Sequence, residues 1–290
     1  MAHFECVNKS APSHIRLLIM CVCLLLLGTG CVEEGSRHNL VITGSTTVLP
    51  AVERCAEIFN QMQEEIKVQV SSGGSGRGIQ DVSTGLADIG MASREVKTSE
   101  IGQFGDGFVE HLIGYDAIGV VVSKEVYDAG VSSLTSDEVA KIYRGDIDNW
   151  LDVGGPDMKI LSVARVPGSG TGDTFNKVIL GSTQAEAPGV GINAMENAEI
   201  KTVLVQSDKA IGYLGIGYTK TGDVRVVELD GVSPTVDNVK SNKYKLSRPL
   251  YLYTWENTST IEAKFIDFVL GEDGQNIIEE EGFIPVSSYA

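Results

Sequence analysis

A chain of 290 residues, 42% hydrophobic and 21% charged, holds enough apolar side chains for one large core or two ordinary ones, which excludes a disordered polymer. Its formal net charge of -16 excludes nucleic acid and an anionic membrane surface as partners. Any anion bound here must therefore be held by local donors, because the overall field repels it.

The first elements form a leader. "MAHFECVNKSAPSHIR" carries Lys9 and Arg16, an apolar run "LLIMCVCLLLL" spans Leu17 to Leu27, and "GTGC" ends at Cys31. A basic start, a short apolar run and small residues mark a signal peptide over residues 1–30, and the run is short for a membrane span. Cys31 directly after the small residues reads as a lipidation site and new N-terminus, although Gly28 stands where a Leu is usual. Ordinary cleavage beside an incidental Cys is the other reading. The lipid reading predicts an extracytoplasmic chain anchored to the cell membrane. Cys6, Cys21 and Cys23 lie in the leader, so a lipidated Cys31 leaves Cys55 without a disulfide partner, and it reads as a small buried hydrophobe.

Residues 31–39 form a polar tether. "LVITGSTTVLP" then predicts a strand, a Gly-Ser-Thr-Thr turn and a helix entry. Val48, Val52, Cys55, Phe59 and Met62 fall on one face of the helix that follows. "IKVQVSS" predicts a strand, "GGSGRG" a second turn, "IQDVSTG" a short helix and "ADIGMAS" a third strand. "HLIGYDAIGVVVS" is a long strand signal. "LTSDEVAKIYRG" predicts a helix with Thr135 and Glu138 in capping-box spacing and Gly145 as its stop. "KILSVAR" predicts a strand that leads straight into "RVPGSGTGDTF" and a helix. "AIGYLGIGY" and "VRVVEL" add strands, "RPLYLYTW" is a second long strand, and two helical patterns close the chain. Alternating strands and helices predict an α/β protein with a mostly parallel sheet. The two long strands flank a unit with its own α/β pattern. Lobe I is expected over residues 38–116 plus 253–290 and lobe II over 117–252, with two chain crossovers at a hinge.

Three Gly/Ser/Thr turns each follow a strand and open a helix: Gly44 to Thr47, Gly73 to Gly78, and Gly168 to Thr171. Backbone N–H groups at a helix start lack intrahelical partners, and the macrodipole adds positive charge there. Such a turn suits an anion, but glycine in one turn is as often only conformational and Ser or Thr only a cap. Three turns facing one cleft weigh toward the anion. Arg94 and Arg165 sit beside them, each a planar fork suited to a tetrahedral oxyanion. Enzyme readings lack parts. Of the four His, His3 and His14 lie in the leader and His38 in the tether, leaving His111 as the single candidate base. Neither "GSGTG" nor "GGSGRG" fits a nucleophile elbow, a Walker A loop or a dinucleotide loop. No cofactor and no metal site are expected, and no catalytic residue is assigned.

In this order, "ITGSTTVLP", "SSGGSGRGI", "ADIGMASREVK", "DAIGVVV", "GDIDNWLDVGG", "RVPGSGTGDTF", "IGYLGIGY" and "EEEGFIP" make the chain, from about Leu40 onward, resemble the phosphate-binding proteins of phosphate-specific ABC transporters. The resemblance implies a two-lobed periplasmic-binding-protein-like fold of type II. It implies a monomer that binds inorganic phosphate between its lobes and delivers it to an ABC transporter permease. Carried over by position, the phosphate ligands are Ser45, Thr46, Thr47, Ser75, Ser93, Arg94, Arg165, Ser169, Gly170 and Thr171. Arg94 stands where the family has an Asp that accepts the phosphate proton. Pro167 stands where an acidic residue is common, and Gly172 where an Arg is common in shorter members. Asp116 and Asp173 are the substitutes considered as acceptors. A receptor for sulfate, molybdate or tungstate, or a phosphatase or sensor on the same scaffold, are the competing readings.

Overall fold

The computed structural model describes residues 37–289. The leader, Cys31 and most of the tether lie outside the described residues.

The described residues form twelve strands in chain order. They are β1 (His38–Gly44), β2 (Ile66–Ser72), β3 (Ile89–Ala92), β4 (Phe108–Val122), β5 (Ser133–Leu134) and β6 (Leu161–Arg165). The others are β7 (Ile192–Ala194), β8 (Ala210–Gly215), β9 (Arg225–Val226), β10 (Glu228–Leu229), β11 (Ser247–Trp255) and β12 (Ile284–Pro285). The main sheet runs β2-β1-β3-β11-β4-β8-β6-β7, with β12 and β9 also on β4. Its two wings are parallel: β1 pairs β2 and β3, and β6 pairs β7 and β8. The centre is antiparallel, because β11 runs against both β3 and β4, and β4 against β8. The expectation of a mostly parallel sheet therefore holds for the wings and fails in the middle. Each wing is built from strand–helix–strand units, whereas the two long strands carry the chain across in opposite directions.

Buried side chains sort along that layout. One cluster gathers Leu40, Ile42, Val52, Cys55, Phe59, Ile113, Leu250 and Phe265. A second gathers Ile118, Val120, Val122, Tyr143, Trp150, Phe175, Tyr213 and Leu246, with Val121, Val163, Ile200 and Leu214 in a third. The long strands feed both sides: Ile113 and Ile118 belong to one strand but to different clusters. The result is a two-lobed α/β protein.

Local chemistry sets the helix boundaries. The helix Leu49–Met62 has Pro50 in its first turn and buries Val52, Cys55, Ala56 and Phe59 on one stripe. Met62, expected on that stripe, is 63% exposed because the helix ends there and leaves the core behind. The helix Ser136–Arg144 starts at the Thr135–Glu138 capping box and stops at Gly145, whose left-handed φ of 85° glycine tolerates. Gly44 and Gly78 matter more for the site. A Cβ on Gly44 would collide with the Met91 carbonyl oxygen, and one on Gly78 would lie 2.8 Å from the Thr43 carbonyl oxygen. Only glycine lets β1, β3 and the helix Ser75–Ser83 come this close, and that approach delivers two of the turns to one point.

Candidate functional site

Every residue carried over as a ligand is buried. Ser45, Thr47, Ser75, Ser93 and Thr171 are each 1% exposed, and Arg165 is 6%. The turns after β1, β2 and β3 meet the turn after β6. Thr47 Oγ1 lies 3.1 Å from Thr171 Oγ1, and the Gly76 N–H donates to the Gly168 carbonyl at 3.0 Å. A Cβ on Gly170 would overlap the Ser75 and Ser93 hydroxyls, which are 3.2 Å apart.

The turns also organise themselves. Ser45 Oγ accepts from the N–H groups of Thr47 and Val48, at 3.2 and 3.4 Å. Ser169 is the N-cap of the helix Gly170–Phe175 and accepts from the Gly172 N–H at 3.1 Å. Ser75 Oγ accepts from the Ser93 N–H at 3.1 Å. Each serine oxygen thus takes a backbone donor and keeps its own O–H to give away.

Arg165 stands at the C-terminal end of β6, where ligands sit in α/β sheets. Its backbone N–H donates to Tyr213 Oη at 3.0 Å, and the Tyr213 ring stacks on Phe175 at 3.8 Å. Its guanidinium donates to the Met195 carbonyl at 2.7 Å, Thr46 Oγ1 at 3.2 Å and Thr171 Oγ1 at 3.4 Å. Among the described residues it forms no ion pair. Burial, with Arg248 nearby, pushes its pKa down to about 10. A buried, unpaired cation is costly, and its Nε has no hydrogen-bond partner.

Arg248 and Asn197 were not found from the sequence, and Asp116, considered there as a proton acceptor, is the ion-pair partner of Arg248. Arg248 lies directly across from Asp116 in the β11–β4 register. Its Nη2 and Nε reach Asp116 Oδ2 at 2.8 and 3.1 Å, and Nη2 also donates to Thr47 Oγ1 at 3.0 Å. Burial pulls the Asp116 pKa up and the Arg248 pKa down, and the contact between them opposes both shifts. Arg248 Nη1 remains without a partner. Asn197 Nδ2 donates to the hydroxyls of both Thr46 and Thr47, at 3.2 and 2.9 Å. The signal for Arg248 was present: one charge in an apolar strand, opposite one charge in another.

Arg94 differs from the expectation that it grips the anion. Its two terminal nitrogens hold Glu100 in a bidentate pair at 2.8 and 2.7 Å, and its Nε lies 2.9 Å from Asp173 Oδ2. Lys97 Nζ reaches the same Asp173 oxygen at 2.6 Å. Arg94 is thus spent on carboxylates at the rim. Asp116 and Asp173, weighed as proton acceptors, are each engaged by cations. Pro167 is exposed in the rim loop, and Gly172 is buried behind Arg165. Among the described residues no group of three His, Cys, Asp or Glu is placed to hold a metal ion.

The site can do one thing well. It presents hydroxyl, amide and guanidinium donors around a buried point, with one guanidinium not neutralised, which suits a desolvated tetrahedral anion.

Comparison with known proteins agrees. A model of the PBP superfamily domain matches residues 32–273. The phosphate-binding protein PstS of Bacillus subtilis is 33% identical over 256 residues, covering 88% of this chain and 83% of that one. PstS of Borreliella burgdorferi is 30% identical over 269 residues, covering 89% and 94%. A Clostridium perfringens phosphate ABC transporter substrate-binding protein, solved with bound phosphate, superposes with a TM-score of 0.80 at 34% identity. That match covers 86% of this chain and all of the other. A phosphate-binding protein from Stenotrophomonas maltophilia, 12% identical with a TM-score of 0.70, shares the fold. The chain belongs to the PBP superfamily, in the family of the PstS phosphate-binding proteins.

Proposed function

We propose that this chain is an extracytoplasmic receptor that binds inorganic phosphate between its lobes and delivers it to an ABC importer, breaking no bond. The observation that carries the reading is Arg165: a buried guanidinium with no carboxylate partner, ringed by Thr46, Thr171 and the Met195 carbonyl. A bound dianion supplies the missing charge, and closing the lobes over it removes water that would weaken each hydrogen bond. Ser45, Thr46, Thr47, Ser75, Ser93, Ser169, Gly170 and Thr171 then act as neutral donors, with Arg165 and Arg248 as the charged ones. Arg94 joins Lys97 and Asp173 in a clasp at the mouth. Named relatives that bind phosphate or serve a phosphate ABC transporter support the choice of ligand and partner.

Lobe I over residues 38–116 plus 253–290, lobe II over 117–252, a monomeric state and a lipid anchor on Cys31 complete the proposal. Labelling cells with a radioactive fatty acid should mark the wild type and not Cys31→Ser; equal labelling removes the anchor. Calorimetry on protein stripped of ligand by unfolding and refolding tests the ligand. Heat on adding micromolar phosphate is expected, and none would sink the reading.

A further inference from the structure

Five buried side-chain atoms lack a hydrogen-bond partner among the described residues, and all five lie around the cleft: Arg94 Nε, Arg165 Nε, Asp173 Oδ2, Asn197 Oδ1 and Arg248 Nη1. The Arg94 and Asp173 atoms answer each other as an ion pair. What remains is two cationic donors and one neutral acceptor. The acceptor belongs to Asn197, fully buried as the first residue of the helix Asn197–Gln206.

The hydrogen-bond directions around Asn197 are constrained. Thr46 Oγ1 accepts from Asn197 Nδ2 and Arg165 Nη2, both at 3.2 Å. Thr47 Oγ1 accepts from Asn197 Nδ2 at 2.9 Å and Arg248 Nη2 at 3.0 Å. A hydroxyl oxygen has two lone pairs and one proton. With both lone pairs filled by N–H donors, Thr46 must give its proton outward, and Thr47 must give its proton to Thr171 Oγ1, 3.1 Å away. Thr171 Oγ1 thus accepts from Thr47 and from Arg165 Nη1 at 3.4 Å, so its own proton is the one left to be given outward. The reverse amide orientation would turn the oxygen of Asn197 toward hydroxyls that would then spend their protons on it. It would also leave two N–H donors buried and unpaired beside two guanidinium groups.

We propose that Asn197 selects the protonation state of the anion: Nδ2 fixes Thr46 and, through Thr47, Thr171 as donors to bare oxygens, and Oδ1 accepts the hydrogen of one protonated oxygen. This rests on the phosphate reading and deepens it. The carboxylates weighed as acceptors are taken, Asp116 by Arg248 and Asp173 by Lys97 and Arg94, and Glu196 accepts from Ser72, so a neutral amide oxygen does the accepting. Monohydrogen phosphate offers one hydrogen and is matched. Sulfate offers none and sets a lone pair against Oδ1, leaving a buried acceptor unpaired. Dihydrogen phosphate brings a second hydrogen into a field of donors and is disfavoured.

The test titrates phosphate and sulfate into ligand-stripped wild type, Asn197→Leu and Asn197→Ser, with melting curves to check folding. In the wild type, phosphate affinity should rise as pH climbs through the second phosphate ionisation and then level, while sulfate affinity stays flat. Both variants should lose phosphate affinity by roughly 10- to 100-fold, and the phosphate-to-sulfate ratio should fall at least about 10-fold. An unchanged ratio in either variant that melts like the wild type overturns the role of Asn197 and leaves phosphate binding standing. Equal wild-type affinity for the two anions, or phosphate affinity independent of pH, overturns it without any variant. A wild type that binds no phosphate sinks the phosphate reading itself, and this inference with it.

Discussion

Two clusters of cations share the cleft and differ in what neutralises them. At the mouth, Arg94 is held by Glu100 and Asp173, and Asp173 is held again by Lys97. At the floor, Arg248 has Asp116, and Arg165 has only hydroxyls and a carbonyl. A cation with its full set of carboxylates needs nothing further and can only fasten one surface to another. A buried cation without one is unstable until something anionic arrives. The difference in neutralisation, and not the presence of arginine, separates the proposed binding floor from the rim. It also explains how a chain of net charge -16 can hold an anion: the compensation is local and left incomplete at one residue.

The largest effect should come from the incomplete cation. Arg165→Ala removes a buried guanidinium that has no carboxylate partner among the described residues, and phosphate binding should weaken by about 2–5 kcal/mol in calorimetry. Arg77→Ala is the control. Arg77 sits in one of the same glycine turns, but its Nε holds Asp81 and its side chain is 62% exposed, so affinity should hardly move. Equal losses in the two variants would break the distinction between floor and surface. Asp116→Asn comes next and separates stability from binding. It strands Arg248 in a fully buried place, so the ligand-free protein should lose about 3–5 kcal/mol of unfolding free energy. Saturating phosphate should restore part of this, because a ligand that binds only the folded state stabilises it by mass action. A rise in melting temperature with phosphate no larger than in the wild type would show that Arg248 does not face the anion.

The floor was half legible in the sequence, and the reason is topological. Ser45 to Thr47, Ser75 and Ser169 to Thr171 announce themselves locally, because strand, glycine turn and helix lie within a dozen residues of one another. Arg165 is legible as the last residue of an apolar strand. Arg248 and Asn197 reach Thr47 across 201 and 150 positions of sequence, and only the antiparallel centre of the sheet and the meeting of the lobes bring them there. The antiparallel centre itself was missed, since the strand–helix alternation describes the wings alone. Arg94, expected to grip the anion, sits after β3 as anticipated, and Glu100, six residues on, holds it through a turn that residue spacing did not expose.

Breaking the rim should cost less than breaking the floor. Asp173→Asn keeps the shape and removes the charge that Lys97 and Arg94 share across the cleft mouth. Lys97 is partly exposed, so screening limits the pair to about 1 kcal/mol, or roughly a fivefold faster release of phosphate in stopped-flow measurements. The association rate should change little. The loss should shrink as salt rises, because the rim is reached by counterions and the floor is not. A loss as large as that of Arg165→Ala would erase the line between the two clusters.

The smallest effect sharpens the comparison from outside the cleft. His111 on β4 is half-buried, its Nε2 lies 3.1 Å from Thr254 Oγ1, and the nearest acidic influence is Asp267. Burial holds its pKa below the usual 6.5, and Asp267 only partly offsets this. Between the folded value and 6.5 the unfolded chain therefore binds more protons than the folded one, so stability must fall as pH falls through that window. The contribution is fully present above 6.5, is lost on the way down to the folded value, and then levels. His111→Gln should flatten this part of a urea-midpoint profile recorded from pH 7.5 downward. Phosphate affinity at pH 7.5 should be the same in wild type and variant, because the imidazole hydrogen-bonds to Thr254 and Thr258 and to none of the residues around Arg165. A change in affinity would mean that β4, which carries both His111 and Asp116, couples the packing of one to the ion pair of the other.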